Sequence, residues 1–317
     1  MMEFIVRVDN QFYEISELVT KISYEDKLND GCSKLEFSYI NKDIEIKNGS
    51  AVKFTYQNTN IFQGYVFKVS RGKGNEISIT AYDQLRYCKA KDTLVVKGET
   101  VTTLVNKMCH YFKLSKGDIV DTKYLLATGV QDDKTWLDII YSAISDTLLY
   151  KGKWYALRDE FGVITLRELG KLGTDLILGD NSLCYDYKFD QSIDDDFYNM
   201  IKLVSKDEEA KKVDITVKKD DSSIGKYGFL QYYENIDKKY NSSQMKEMAN
   251  NLLKLYNKEK ETISLDCIGD TRIRAGSGFY CLIGDINYNK KLMVKSVSHD
   301  FLPSHTMSLE VMNDTGD

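Results

Sequence analysis

The sequence predicts a β-rich α+β fold with two antiparallel β domains flanking a small α+β insert. Three observations carry this expectation. Hydrophobic and polar residues alternate with period two over the first ninety residues and again over the last third. Between them the period lengthens to that of an amphipathic helix. The composition fits as well: 12% of the residues are aromatic, including 22 Tyr, a side chain that suits half-buried pleated surfaces.

In the first β domain, residues 1–92, the runs FIVRVD, QFYEIS, VTKISYE, SKLEFSYI, AVKFTY, IFQGYVFKVS and EISITAY each read as a strand. Asp9-Asn10, Asp30-Gly31, Asn48-Gly49 and Gly72-Lys73-Gly74 punctuate them as turns. Seven short strands of this kind suggest a closed barrel or a sandwich, which hides exposed strand edges.

The α+β domain, residues 93–180, opens with TVTTLVNKMCHYFKL, where Val101, Leu104, Val105, Met108 and Phe112 share a helical face. Asp133 is placed to cap a second helix with the stripe Trp136, Ile139, Ile140, Ala143, Ile144 and Leu148. A hairpin follows, KWYALRD and VITLREL around Glu160-Phe161-Gly162.

Residues 181–317 return to strands: SLCYDYKF, NMIKLVS, KKVDITVKK, FLQYYEN, TISLDCIG, GFYCLI, LMVKSVSHDF and HTMSLEVM. One helix, 242–258, interrupts them. Ser242 and Ser243 are its expected caps, and Met245, Met248, Ala249, Leu252, Leu253 and Tyr256 form its apolar face. The two β regions read as distant copies of one barrel.

Composition narrows function. With 317 residues, 42% hydrophobic and 29% charged, the chain has the balance of a folded protein of two or three domains. A net charge of −5 and no strongly basic run argue against specific nucleic-acid binding. No leader-like start and no apolar stretch of about 18 residues is seen, so a soluble protein made in a cytoplasm is expected, without a membrane contact. Cysteines 32, 88, 109, 184, 267 and 281 lack the two-to-four-residue spacing of zinc ligands and read as buried thiols.

The candidate sites each favour a structural reading. His299 and His305 lie six residues apart around the sole proline, Pro303. Strand parity sets Val297, His299 and Phe301 in one row and His305, Met307, Leu309 and Val311 in another, while Asp300 points away. A metal would lack its third and fourth ligands. Asp194, Asp195 and Asp196 lack the alternate spacing and central Gly of a calcium loop and read as a solvated turn. In GDTRIRAGSGFYCLIG, Gly276 and Gly278 precede a strand instead of a helix, so they make a turn or bulge and not a phosphate loop. Arg272 and Arg274 are spaced to share a face and to form salt bridges between subunits. No GxSxG or HExxH occurs. Paired carboxylates stay open, because sequence does not give their distances. The expectation is therefore no catalytic, cofactor-binding or metal-binding residue, no cofactor, and no enzyme.

Six collinear stretches carry a resemblance across nearly the whole chain. They are ISITAYDQLRYCKAKD (77–92), GKWYALRDEFGVITL (152–166), QSIDDDFYNMIKLVS (191–205), IGKYGFLQYYE (224–234), IGDTRIRAGSGFYC (268–281) and the last hairpin ending in HTMSLEV. Together they resemble the baseplate hub proteins of contractile phage tails and R-type bacteriocins, especially the group encoded by defective PBSX-like prophages of low-GC Gram-positive bacteria. Cys88, Cys184 and Cys281 depart mildly from it where aliphatic residues are expected. The resemblance implies two tail-tube-like antiparallel β-barrel domains per chain. It also implies a homotrimer joining a hexameric tail tube, or a tube-initiator protein, to a trimeric central spike, in contact with a baseplate wedge or LysM-type tail protein and a tape-measure protein. A tail-associated cell-wall hydrolase and a receptor- or glycan-binding tail-tip module are the alternatives.

Overall fold

The computed structural model describes residues 2–194, 196–207, 212–236 and 241–313. Seven strands open the chain: β1 (Met2–Val8), β2 (Gln11–Glu14), β3 (Val19–Lys27), β4 (Lys34–Ile40), β5 (Ala51–Tyr56), β6 (Thr59–Arg71) and β7 (Glu76–Tyr82). The insert holds β8 (Lys91–Val96), α1 (Val101–Tyr111), β9 (Lys116–Ile119), β10 (Gly129–Thr135), α2 (Trp136–Lys151), β11 (Tyr155–Asp159), β12 (Ile164–Glu168) and β13 (Gly173–Gly179). The remainder comprises β14 (Cys184–Ser192), β15 (Met200–Asp207), β16 (Lys212–Lys219), α3 (Asp221–Tyr227), β17 (Gln231–Ile236), α4 (Ser242–Tyr256), β18 (Lys260–Ile268), β19 (Gly278–Ile283), β20 (Tyr288–Asp300) and β21 (Thr306–Asn313).

The chain divides into two compact units, Met1–Tyr187 with Ser264–Asp317, and Lys188–Ile263. Strands from both ends of the sequence join one large sheet in the order β14-β18-β21-β20-β3-β4-β7-β6-β5-β1-β2, with β19 branching from β20 and pairing β13. The junction is β20 against β3, antiparallel, with Val297 opposite Asp26 and His299 opposite Tyr24. This hydrogen-bonded path is open, ending at β14 and β2.

Alternation builds the core of the first unit. Phe4 and Val6 of β1, Ile22 and Tyr24 of β3, Leu35 and Phe37 of β4, and Ile77 and Ile79 of β7 all turn inward. Phe301, at the end of β20, joins the same cluster. A second core forms in the insert, where α1 and α2 pack with β11 and β12 through Leu104, Met108, Trp136, Ile140, Leu157 and Leu166. Each apolar group removed from water stabilises its core by about 25 cal/mol per Å².

The predicted stripes of α1 and α2 are buried except at Phe112 and Leu148, which are half-buried, but two caps differ. The Thr135 side chain, not Asp133, accepts the Asp138 N–H at the start of α2. Asp133 has φ +51° in an irregular stretch of β10 and pairs with Lys91, so it cannot reach the first turn. At α4 the cap is Asn241, in a reciprocal box with Gln244, one residue before Ser242. Among the described residues no helix is long and apolar enough to cross a membrane.

The second unit is a three-stranded sheet, β16-β15-β17, antiparallel on one side and parallel on the other. Ile201 and Leu203 of β15 pack against Met245 and Ala249 of α4.

Candidate functional site: a polar sheet face and its buried anchor

The face of the large sheet opposite the core is polar across seven strands. Register gives its rows directly. One runs Ser308, Ser298, Glu25, Lys34, Tyr82 across β21-β20-β3-β4-β7. The next runs Thr306, Asp300, Ser23, Glu36, Thr80. A third continues as Lys21, Ser38, Ser78, Ser70 into β6. On β18, Asp266 accepts the Ser308 hydroxyl at 2.5 Å.

Acids Glu25, Glu36, Glu76, Asp266, Asp300 and Glu310 narrowly outnumber lysines 21, 27, 34, 68 and 295 on this face. Lysines 27 and 34 sit 3.0 and 2.9 Å from the Glu25 carboxylate, and Lys34 also lies 3.2 Å from Glu36. Exposed pairs of this kind add little stability, but they neutralise the cations locally. Small hydroxyls, and lysines 27, 34 and 295 tied to Glu25, Glu36 and Glu310, make a polar, weakly acidic surface.

Beneath this face lies a buried ionic cluster drawn from four parts of the chain. Arg274 donates through Nε to Asp26 Oδ2 at 2.9 Å and through Nη1 to the Asp159 carbonyl at 3.1 Å. The other Asp26 oxygen accepts the Ser33 hydroxyl at 3.0 Å. Burial alone would raise the Asp26 pKa, yet the guanidiniums of Arg274 and Arg158 outweigh it and hold the carboxyl below its usual value. Arg158 donates to the Ala275 carbonyl, and burial together with neighbouring Arg274 pulls its pKa down to about 10.

Asp83 accepts N–H bonds from Ser33 at 2.7 Å and Leu85 at 2.9 Å. Asp159 accepts them from Gly162 at 2.5 Å and Gln84 at 3.2 Å. Burial, and then repulsion between these two acids, pushes Asp83 up to about 8. Burial also raises Asp159, against the N–H bonds that favour its anion. Both oxygens of each of these three carboxyl groups accept a hydrogen bond from the fold itself. The cluster pins β3, the turn after β7, the β11–β12 hairpin and the 270–277 loop together.

This geometry corrects the expectation for Arg272 and Arg274. The segment before β19 is a loop, so strand alternation does not apply. Arg272 is exposed and pairs with Asp270 and Asp175. Arg274 turns inward, and its side chain is spent on Asp26 within the same chain. Gly276, at φ +82°, makes the turn that brings them there, and a Cβ at this position would lie 2.7 Å from Leu169 Cδ2. Gly278 starts strand β19, in line with the turn-and-strand expectation.

His299 and His305 meet on the core side of the same sheet. Val297, His299 and Phe301 are buried in one row and Met307, Leu309 and Val311 in the other, with Asp300 outside. His299 Nε2 is 3.0 Å from the Ile273 carbonyl, which can only accept, so that nitrogen carries the proton. His299 Nδ1, 3.0 Å from His305 Nε2, then accepts from it. Phe301 stacks on His305 at 4.4 Å, and Tyr56 meets its edge at 5.1 Å. Burial lowers the His299 pKa to about 4 and lowers His305 too, against the pull of Asp270.

Asp194 and Asp196 lie in a bend, with Asp196 3.8 Å from Lys260; Asp195 lies outside the described residues. Among the described residues no three His, Cys, Asp or Glu side chains converge as metal ligands. The cluster of Asp26, Asp83, Asp159 and Arg274 is the feature that sequence reasoning missed. Its members are polar residues at strand ends and turns, positions where a charge normally meets water.

Comparison with known proteins matches this fold. The model of the YQBQ-like family aligns with residues 22–312. Two proteins of Bacillus subtilis (strain 168) are similar over most of their length. The phage-like element PBSX protein XkdQ is 24% identical over 98% of this chain and 97% of its own. The uncharacterized protein YqbQ is 27% identical over 84% and 82%. Among solved structures, the 43 kDa tail protein of prophage MuSo2 from Shewanella oneidensis superimposes with TM-score 0.74 at 12% identity, covering 99% of this chain and all of that one. A tail protein from Neisseria meningitidis MC58 gives 0.69 at 14%, covering 100% and 98%. A chain of the Francisella PdpA–VgrG complex gives 0.58 at 10%, covering 98% and 52%, and one of the p2 virion baseplate gives 0.51 at 7% with full coverage of both. The resemblance read from the six sequence stretches is met by these relatives: the chain belongs to the YQBQ-like family.

Proposed function

We propose that this protein is a structural baseplate hub of a contractile tail or injection particle. In this reading three copies form a ring that adapts a hexameric tail tube, or its initiator protein, to a trimeric central spike. The two β regions act as tail-tube-like barrels, so that three chains supply six. The chain contacts a wedge or LysM-type tail protein from outside and the tape-measure protein from within, at the tail tip of a particle assembled in the host cytoplasm. It carries no catalytic role.

The observation that carries the reading is the polar face across β18-β21-β20-β3-β4-β7-β6. A channel wall must let a polyanion or an extended polypeptide slide past without trapping it. Serine hydroxyls remain hydrated, Lys27 and Lys34 are held by Glu25 and Glu36, and a mild excess of acid repels phosphate. Similarity to proteins titled tail protein, baseplate and VgrG complex supports the same assignment. So does the relative named for the PBSX phage-like element.

Co-expression with the spike and tube proteins of the same gene cluster tests it. Native mass spectrometry is expected to give a complex with three copies of this chain per three spike chains. A binary complex of another stoichiometry, or release of fragments from purified peptidoglycan by the chain alone, would overturn the assignment.

A further inference from the structure

We infer that Cys184 and Cys267 form an intrachain disulfide when the folded chain meets a small-molecule disulfide such as oxidised glutathione. The two residues lie on neighbouring strands of the large sheet, β14 and β18. At one end of this pair the Leu183 carbonyl accepts the Ile268 N–H at 2.8 Å. Toward the other end the Gln191 amide comes within 3.5 Å of the Glu261 carboxylate, so the strands run antiparallel. The Leu183–Ile268 bond sets Cys184 directly opposite Cys267, in a pair without mutual backbone hydrogen bonds. Such pairs bring their Cα atoms to about 4.5 Å, and a disulfide spans about 4.4–6.8 Å. Both side chains lie on the buried face, Cys184 9% exposed and Cys267 fully buried. The Cys267 thiol donates a hydrogen bond to Cys184 Sγ, so the two sulfurs already face each other. A third buried thiol, Cys281, lies near Cys184. Its strand β19 pairs with β13 and β20, so no backbone register holds Cys281 opposite either of the others.

Exposure and hydrogen bonding set the order of attack. Burial raises all three thiols, Cys281 to about 12, so thiolate is scarce and oxidation is slow at neutral pH. Cys184 reacts first, because β14 is the end strand of the sheet and the bond from Cys267 favours the Cys184 anion. Its thiolate attacks one sulfur of oxidised glutathione, leaving a mixed disulfide and expelling one glutathione thiolate. Cys267 then gives up its proton and attacks Cys184 Sγ, breaking the mixed disulfide and expelling the second glutathione thiolate. The two cysteines lose two electrons to oxidised glutathione, and their two protons end on the two glutathione thiols. The bond has a consequence for the fold. The chain leaves the first compact unit after Tyr187 and returns to it at Ser264, so Cys184 and Cys267 flank both crossings. A disulfide there clasps β14 to β18 and closes the loop that contains the whole second unit, which restricts the chain most when that unit unfolds. None of this depends on the hub reading.

Peptide mapping decides the pairing, because Cys184, Cys267 and Cys281 fall on separate tryptic peptides, 172–188, 261–272 and 275–290. After the folded full chain is incubated with oxidised glutathione at mildly alkaline pH, peptide 172–188 is expected to be joined to 261–272, and dithiothreitol to separate them. Cys281→Ala keeps this link. Cys267→Ala stops at the mixed disulfide, one glutathione heavier at Cys184, and Cys184→Ala leaves Cys267 reduced. A folded parent chain in which the two peptides stay unlinked overturns the inference, as does a link from 275–290 to either of them. So does a 172–188 to 261–272 link that forms only after unfolding in urea.

Discussion

Replacing Arg274 by Met removes the central cation of the buried cluster and leaves its acids in place. Arg274 makes a 2.9 Å charge-assisted bond to Asp26 and a 3.1 Å bond to the Asp159 carbonyl. Breaking a buried pair from one side costs about 3–5 kcal/mol, because the surviving charge is stranded. Arg158 remains near Asp26 and partly compensates, which places the expected loss near the lower end, about 3 kcal/mol. The cost should grow with pH. Without Arg274, burial keeps a proton on the Asp26 carboxyl in the native state, while the unfolded chain ionises. Stability then falls by up to about 1.4 kcal/mol per pH unit where that proton is held. Urea unfolding between pH 6 and 8, read from Trp136 and Trp154 fluorescence, measures both quantities. The double change D26N with R274M removes the stranded carboxylate, so it should recover most of the loss and flatten the pH dependence. If Arg274→Met costs less than 1 kcal/mol, or the double variant is as unstable as the single one, the cluster does not anchor the fold.

Other consequences can be checked separately. Because the His299 pKa is about 4 in the fold and about 6.5 unfolded, the unfolded state alone takes a proton between these values. Native stability should thus fall by about 3 kcal/mol from pH 6.5 to 4, and His299→Gln should remove that part of the slope while lowering stability at pH 7; an unchanged pH profile would contradict the buried neutral ring. Gly64→Ala puts a Cβ 2.2 Å from the Tyr82 carbonyl and should cost about 2 kcal/mol or more, measured as a lower unfolding midpoint, where a neutral effect would mean that β6 and β7 can separate freely. Asp266→Lys with Glu310→Lys should leave folding and particle yield intact but slow genome ejection; an unchanged rate would count against the channel assignment.

Much of the fold was legible because burial follows alternation. The strands of both β regions and the stripes of α1, α2 and α4 repeat every two or 3.6 residues, and the expected turn at 160–162 is present, with positive φ at Phe161 and Gly162. The short elements β8, β9, β10 and β13 and helix α3 were not legible. DSSIGKY in α3 buries no side chain and so has no apolar period to read. Caps slipped by one or two residues because several oxygen-bearing side chains adjoin each helix start, and only backbone geometry selects among them. The continuity of the sheet through β3 and β20 was also hidden, since pairing 270 residues apart in sequence leaves no local pattern. The His299–His305 row was readable from parity alone. The cluster around Arg274 was not, because Asp26, Asp83, Asp159 and Arg274 meet only once the fold exists.

The central claim is that this chain lines the axis of a contractile tail tip. A high-resolution image of the assembled particle tests it most directly. The account predicts three copies coaxial with the tube, with Ser23, Ser298 and Ser308 facing the channel. Copies placed peripherally, or turned so that this face meets another protein, would contradict it.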